Sequence, residues 1–258
     1  MDHDATIKPG LVSVTLRKLS PPQIVALCQQ AALTGIEWGG DLHVPHGDLA
    51  VARRVHDLTV SAGLEIAAYG SYYRVGISER DGLPFEKVLA TAVQLQAPLV
   101  RVWAGAKASA DADEAYVGWV IDELERVAGL AAAAGIKVAC EYHAGTLTDS
   151  LRSTAVLLEK ARHPNLWFLW QPANGQPVSY NLQTLGLVLP RLANAHVFHW
   201  WPDASTRHPL TAGEADWREY LQILRQAGGS RYALLEFVKD DEPGQLLRDA
   251  ATLRQWLE

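Results

Sequence analysis

Four consecutive apolar runs in the second half of the chain each end in a side chain able to bind a metal or move a proton. Lys137-Val-Ala-Cys-Glu141 delivers Glu141 and is followed by a turn that reaches Gly145. Leu166-Trp-Phe-Leu-Trp-Gln171 delivers Gln171, His196-Val-Phe-His199 delivers His199, and Tyr232-Ala-Leu-Leu-Glu236 delivers Glu236. The spacings are 30, 28 and 37 residues. Runs this short and this apolar read as strands covered on both faces, the signature of a parallel sheet. A polar side chain at the end of each strand is how the rim of an active site is built.

The first half follows the same rhythm. Strands are expected at Leu11–Leu16, Ile36–Trp38, Glu65–Tyr69 and Leu99–Trp103. Ser20-Pro-Pro opens a helix, with serine as the cap and proline where no free N–H is needed. Further helices are expected over Leu49 to Ser61, from Pro84 to before Pro98, and from Ala112 to Ala134 ahead of Gly135. After the later strands, helices are expected near Ser150 to Ala161, from Asn181, over Glu214 to Gln226, and from Gly244 to Trp256. Eight strand–helix pairs in 258 residues predict a closed α/β barrel, a (β/α)8 TIM barrel occupying residues 1–258 as a single domain. An open dinucleotide-binding sheet is disfavoured, because no Gly-x-Gly-x-x-Gly follows the first strand.

Composition narrows the partners. The net charge of −6 argues against a surface that neutralises nucleic-acid phosphates. Cys28 and Cys140 both lie in apolar runs and read as small core residues. The opening Met-Asp-His-Asp-Ala is acidic and lacks the apolar core of a secretory signal, and no apolar stretch is long enough to span a membrane. A cytoplasmic protein with no membrane partner is the expectation. Tryptophan-rich loops offer surface for a homo-oligomer.

In a barrel, the strand C-termini open onto one face. Period-two alternation pairs Ala139 with Glu141, Leu169 with Gln171 and Leu234 with Glu236 on the inner face, and turns Cys140, Trp170 and Phe237 towards the helices. Two carboxylates, one amide oxygen and one imidazole suit a divalent ion, Mn²⁺ first, with Mg²⁺, Co²⁺ or Zn²⁺ as alternatives. The expected metal ligands are therefore Glu141, Gln171, His199 and Glu236. His43, His46, Tyr69, Trp103, His143 and Arg207 follow strand ends and are candidates for gripping substrate. Nearby Tyr73, Arg101 and several of the nine tryptophans are weaker candidates of the same kind.

Glu141-Tyr-His143, Trp170-Gln-Pro172, His196-Val-Phe-His199 and Leu235-Glu-Phe237, with Glu37-Trp-Gly39 upstream, resemble the sugar phosphate isomerase/epimerase superfamily of xylose isomerase-like TIM barrels. The resemblance implies a metal bound by Glu, Asp, His and Glu at the ends of strands five to eight. It also implies two glutamates, here Glu141 and Glu236, that shuttle a proton beside a ketose carbonyl. His199 matches the family histidine, and His196 is expected on the opposite face. Gln171 stands where the family has Asp, so with a divalent ion the four ligands sum to zero charge rather than −1.

The expected activity is a metal-dependent isomerase or epimerase of a small carbohydrate, acting through an enediolate. Turns rich in Asp240 and Asp241, and the lack of a glycine-rich phosphate loop, favour a non-phosphorylated keto-sugar. Two alternatives stand beside it: a metal-dependent lyase acting on a keto-glycoside, and a non-catalytic sugar-binding barrel with a degraded metal site.

Overall fold

The computed structural model describes residues 6–226 and 228–258. The Met1–Ala5 stretch, read above as unlike a secretory signal, lies outside them. Eight strands, β1 Thr6–Val12, β2 Gly35–Gly39, β3 Glu65–Arg74, β4 Leu99–Trp103, β5 Lys137–Glu141, β6 Leu166–Trp170, β7 Leu192–Val197 and β8 Ser230–Leu235, alternate with eight helices. The helices are α1 Pro21–Gln30, α2 Leu49–Ser61, α3 Phe85–Leu95, α4 Glu114–Ala133, α5 Leu151–Lys160, α6 Val178–Val188, α7 Glu214–Gln226 and α8 Pro243–Leu257. Each strand pairs in parallel with its sequence neighbours, and β1 pairs with β8, closing the barrel. The expected (β/α)8 fold is the observed one.

Helix starts follow their capping residues. The Ser20 N–H donates to the Gln23 side chain at 2.9 Å ahead of α1. Asp48 accepts from the Val51 N–H at 2.9 Å, and Asp113 accepts from the Tyr116 N–H at 2.8 Å, opening α2 and α4. Apolar residues on the outer faces of the strands then meet the buried faces of the helices. Trp170 sits edge-on to Trp217 and Tyr220 of α7 and donates its indole N–H to Thr184 of α6 at 3.0 Å. Truncating a fully buried indole of this kind costs about 3–5 kcal/mol.

Inside the barrel, Ala68, Leu99, Ala139 and Leu169 form one small apolar layer, with Val12, Tyr232 and Leu234 in another. These buried layers fill the barrel interior beneath the polar groups at the strand ends.

Several strand boundaries differ from expectation: β3 runs on to Arg74 rather than ending at Tyr69, and two further differences bear on the site. The first strand runs Thr6–Val12, and Ser13–Leu16 forms a 3₁₀ turn. That turn is tied down by side chains: Ser13 Oγ accepts from the Gly39 N–H at 2.9 Å, and Thr15 Oγ accepts from the Phe237 N–H at 3.0 Å. The seventh strand ends at Val197, so Phe198 and His199 already belong to the following loop. Among the described residues, no helix is long and apolar enough to cross a membrane.

Candidate active site

At the C-terminal mouth of the barrel, six polar side chains from six strands or their ends form one buried layer. They are Glu37, Arg101, Glu141, Gln171, His196 and Glu236, none more than 8% exposed. Arg101 is the hub of one side. Its Nε donates to Glu37 Oε1 at 2.6 Å and its Nη1 donates to Glu141 Oε2. Trp103 adds its indole N–H to the same Glu141 oxygen at 2.5 Å. The Tyr72 ring lies 4.7 Å from the guanidinium, packing over it.

Gly70 is required by this pair. A Cβ there would lie 2.6 Å from Glu37 Oε1 and 2.8 Å from Arg101 Nη2.

His196 is the hub of the other side. Its Nδ1 lies 3.4 Å from carboxylate oxygens of both Glu141 and Glu236, and 3.1 Å from Gln171 Oε1. Its Nε2 lies 3.3 Å from Glu37 Oε2.

Charge decides the protonation of this layer. Burial works to lower the His196 pKa, but Glu236, Glu37 and Glu141 outweigh it and hold the imidazole well above its ordinary value. Burial likewise works to raise Glu37 and Glu141, but Arg101 and His196 outweigh it and keep both carboxyls below the usual range. Burial pushes the Tyr72 hydroxyl up to about 12, so it stays a neutral phenol.

The donor set fits a divalent cation. Glu141, His196 and Glu236 each offer a ligand atom, all within 4.8 Å of one another, and bonds of about 2.0–2.2 Å are reached from there by small side-chain shifts. Gln171 Oε1 lies beside the same imidazole nitrogen. Glu37 faces the opposite ring nitrogen, the carboxylate–histidine arrangement that fixes the tautomer of a metal-binding imidazole.

The structure brings Glu141, Gln171 and Glu236 together as expected from their strand positions, and it corrects the histidine. His199 points out of the barrel, against His208 at a ring separation of 5.7 Å and over Gly213. His196 takes the inner position because β7 ends two residues before His199. The usable signal was alternation in Asn194-Ala-His-Val197: the polar residues face inward, while Ala195 and Val197 pack against the helices.

His43, His46 and Tyr69 are also corrected. His43 spends both ring nitrogens on Ser13 Oγ and the Leu19 carbonyl, at 2.9 and 3.1 Å. His46 bonds the Ser71 carbonyl at 2.7 Å, and the Tyr69 hydroxyl donates to the Val44 carbonyl at 2.9 Å. His43 ties the β2–α2 loop to the segment between β1 and α1, His46 and Tyr69 tie it to β3, and none of the three bonds a member of the central layer. Tyr73, too, is buried outside the centre, against Phe85.

Trp103 and His143 stand together at the mouth, with ring centroids 4.8 Å apart. Arg207 lies at the rim, 2.6 Å from Asp241 and over the Phe237 ring at 4.8 Å. Glu37, Arg101 and Tyr72 are the members whose weight the sequence did not convey. Glu37 and Arg101 do sit at period-two positions in charged-among-apolar strands, which is the trace they leave.

A parallel barrel with a buried carboxylate–imidazole centre at its C-terminal mouth defines a class of small-molecule TIM barrels. Within it, the chain belongs to the xylose isomerase-like TIM barrel family, whose sequence profile matches residues 25–257. A curated 3-dehydroshikimate dehydratase from Bacillus anthracis is 28% identical over 171 residues, 62% of this chain and 60% of that protein. The solved structure of a probable 3-dehydroshikimate dehydratase from Bacillus anthracis superposes with a TM-score of 0.81 at 21% identity, covering 96% of this chain and 99% of that one. D-psicose 3-epimerase from Clostridium cellulolyticum, solved with D-tagatose, gives a TM-score of 0.72 at 14% identity, covering 98% of this chain and all of that one.

Proposed function

We propose that this chain is an enzyme that removes a proton from the carbon beside a carbonyl in a small polyhydroxylated compound and then eliminates an oxygen substituent. The observation that carries this reading is the unequal holding of the two glutamates. Glu141 is fixed through one oxygen by both Arg101 and Trp103, whereas Glu236 meets His196 alone among the described side chains. A two-glutamate shuttle needs both carboxylates to take and give protons. Glu141, locked as an anion, is suited to holding charge, and Glu236 is left as the single base.

Glu141, Gln171, His196 and Glu236 would hold a divalent ion, Mn²⁺ or Mg²⁺ by the hardness of the oxygen-rich set. When bound, such an ion polarises the substrate carbonyl and stabilises the negative charge that develops on its oxygen.

The rest belongs to the chain. Glu236 accepts the α-proton as the C–H electron pair becomes a C=C bond. The C–O bond at the next carbon breaks, and the oxygen leaves with its electron pair. The proton held on Glu236 passes to that oxygen, which departs as water or as an alcohol. Atoms balance and no oxidant is needed. Trp103, His143 and Tyr72 present an aromatic wall to the apolar face of a ring substrate.

The likeness to a 3-dehydroshikimate dehydratase supports elimination as the reaction type; the aligned part spans about 60% of that protein. Proton return, giving an epimer or isomer, is the reading that the free position of both glutamates would have favoured.

The test incubates Mn²⁺-loaded protein in D2O with 3-dehydroshikimate, methyl 3-keto-glucopyranoside and D-psicose. Elimination yields a conjugated, ultraviolet-absorbing product with loss of water or alcohol, and Glu236→Gln abolishes it. An isomer of unchanged skeleton carrying deuterium, with no fragment, would overturn the elimination. Loss of turnover in neither Glu236→Gln nor His196→Ala would overturn the site.

A further inference from the structure

His199, excluded from the central layer, opens a second question. It lines a cavity of about 310 Å³ between the β6–α6 loop, the β7–α7 loop and the first turns of α7. That volume sits at the low end of the roughly 300–1,000 Å³ typical of small-molecule sites.

The cavity is built rather than incidental. Gly213 admits the His199 ring, since a Cβ there would lie 2.5 Å from Nδ1. Trp201, a large apolar side chain that is 50% exposed, stands at its edge. The Trp201 backbone is fixed on both sides: its N–H donates to the Thr206 carbonyl at 3.0 Å, and its carbonyl accepts from His208 Nε2 at 3.0 Å. The backbone is anchored while half of the indole stays open to solvent at the cavity edge.

The polar equipment is unspent. The ring nitrogens of His199 find no hydrogen-bond partner among the described residues, and burial lowers the imidazole pKa, leaving one donor and one acceptor. Asp216 lines the same space, and the amides of Asn174 and Gln176 stand at the rim. Among the described residues, no lysine or arginine lines the cavity, so none of them compensates a phosphate or a carboxylate there. An aromatic platform with amides, a neutral imidazole and one carboxylate matches alternating hydroxyl groups on an apolar ring face.

We propose that this cavity is a second ligand site, separate from the catalytic centre, that binds a neutral polyhydroxylated ring. Trp201 stacks on the ring face, and His199 and Asp216 bond its hydroxyls. The site stands on its own geometry and does not depend on the elimination reaction.

The test follows the indole N–H resonances of full-length protein during titration with methyl β-D-glucopyranoside, methyl β-D-galactopyranoside and myo-inositol, with choline and inorganic phosphate as probes of the opposite chemistries. The Trp201 signal, assigned by its loss in Trp201→Phe, is expected to shift saturably with a neutral probe, with Kd on the order of millimolar. Trp201→Ala and Asp216→Asn weaken that binding at least about tenfold, whereas Glu236→Gln leaves it unchanged. The proposal fails if none of the three neutral probes moves the Trp201 resonance in the unaltered protein. It also fails if choline or phosphate alone saturates the site, or if Glu236→Gln abolishes sugar binding. The titration of unaltered protein decides the matter even if a variant folds poorly.

Discussion

The ion pair between Arg101 and Glu37 is 2.6 Å long with both side chains at most 1% exposed, and Arg101 also pairs with Glu141. With charge centres about 4 Å apart, each pair attracts by about 4 kcal/mol at an effective dielectric of about 20. Desolvating three ions offsets much of that, so the measurable quantity is what remains when one partner goes. Arg101→Met strands two buried carboxylates and is expected to cost about 3–5 kcal/mol. Glu37→Gln keeps the shape and an acceptor oxygen but removes the carboxylate charge, at about 1.5–3 kcal/mol.

The double variant removes both charges. Its cost is expected near that of Arg101→Met alone, which gives a coupling of about 2 kcal/mol against the additive sum. Urea unfolding of the chelator-treated protein, with tryptophan fluorescence as the probe, supplies all four corners of the cycle. Additive costs, or an Arg101→Met loss below about 1 kcal/mol, would mean the pair is solvated and the argument for a locked Glu141 is wrong.

His196→Ala is expected to abolish stoichiometric Mn²⁺ binding measured by elemental analysis, while His199→Ala leaves it intact; the reverse result would restore the histidine assignment made from the sequence. Metal uptake should depend on pH, because His196 is held protonated by its three carboxylates and an ion requires the neutral ring. Uptake therefore weakens as pH falls and releases a proton, readable by calorimetry in buffers of different ionisation heat. The chelated protein shows the opposite sign: the His196 contribution to stability is full below the ordinary imidazole value of about 6.5 and fades as pH rises through the raised one. Gly70→Ala should destabilise by about 1–3 kcal/mol in thermal unfolding, since its Cβ would press on Glu37 and Arg101. Gln171→Asp should tighten Mn²⁺ binding by titration while lowering the stability of the chelated protein, because it adds a buried anion.

The barrel was legible because its signal is repeated: eight apolar runs separated by amphipathic stretches leave few alternatives. Glu141, Gln171 and Glu236 were legible because each closes its run at the inner phase. His199 was misplaced because two histidines three residues apart lie on opposite faces, and the choice between them turns on where β7 ends. The apolar Phe198-His-Trp200 extends the run in sequence but leaves the sheet in space, since the strand stops pairing with β8 at Val197. His43 and His46 follow the end of β2 and Tyr69 lies within β3, yet nothing in their sequence says that backbone carbonyls will occupy them. Arg101 is hardest to read, because a lone cation in a strand gives no sign of which carboxylates it will meet.

Glu37 ties these parts together and changes the charge balance drawn from the sequence. In the sequence, two carboxylates and an amide neutralise a divalent ion with nothing to spare, and the missing Asp reads as a loss. The buried layer holds three carboxylates, Glu37, Glu141 and Glu236, against one guanidinium, Arg101. With a neutral His196 and a divalent ion the sum is −3 + 1 + 2, or zero. A carboxylate at position 171 would leave the layer at −1, with no further cation among the described residues that touch it. The neutral amide at Gln171 therefore fits a centre in which Arg101 and Glu37 supply what the familiar ligand set lacks. Glu37 serves both ends, bonding Arg101 through one oxygen and facing His196 with the other. The orientation of the imidazole and the fixing of Glu141 then share a single cause, and removing that carboxylate should disturb both together.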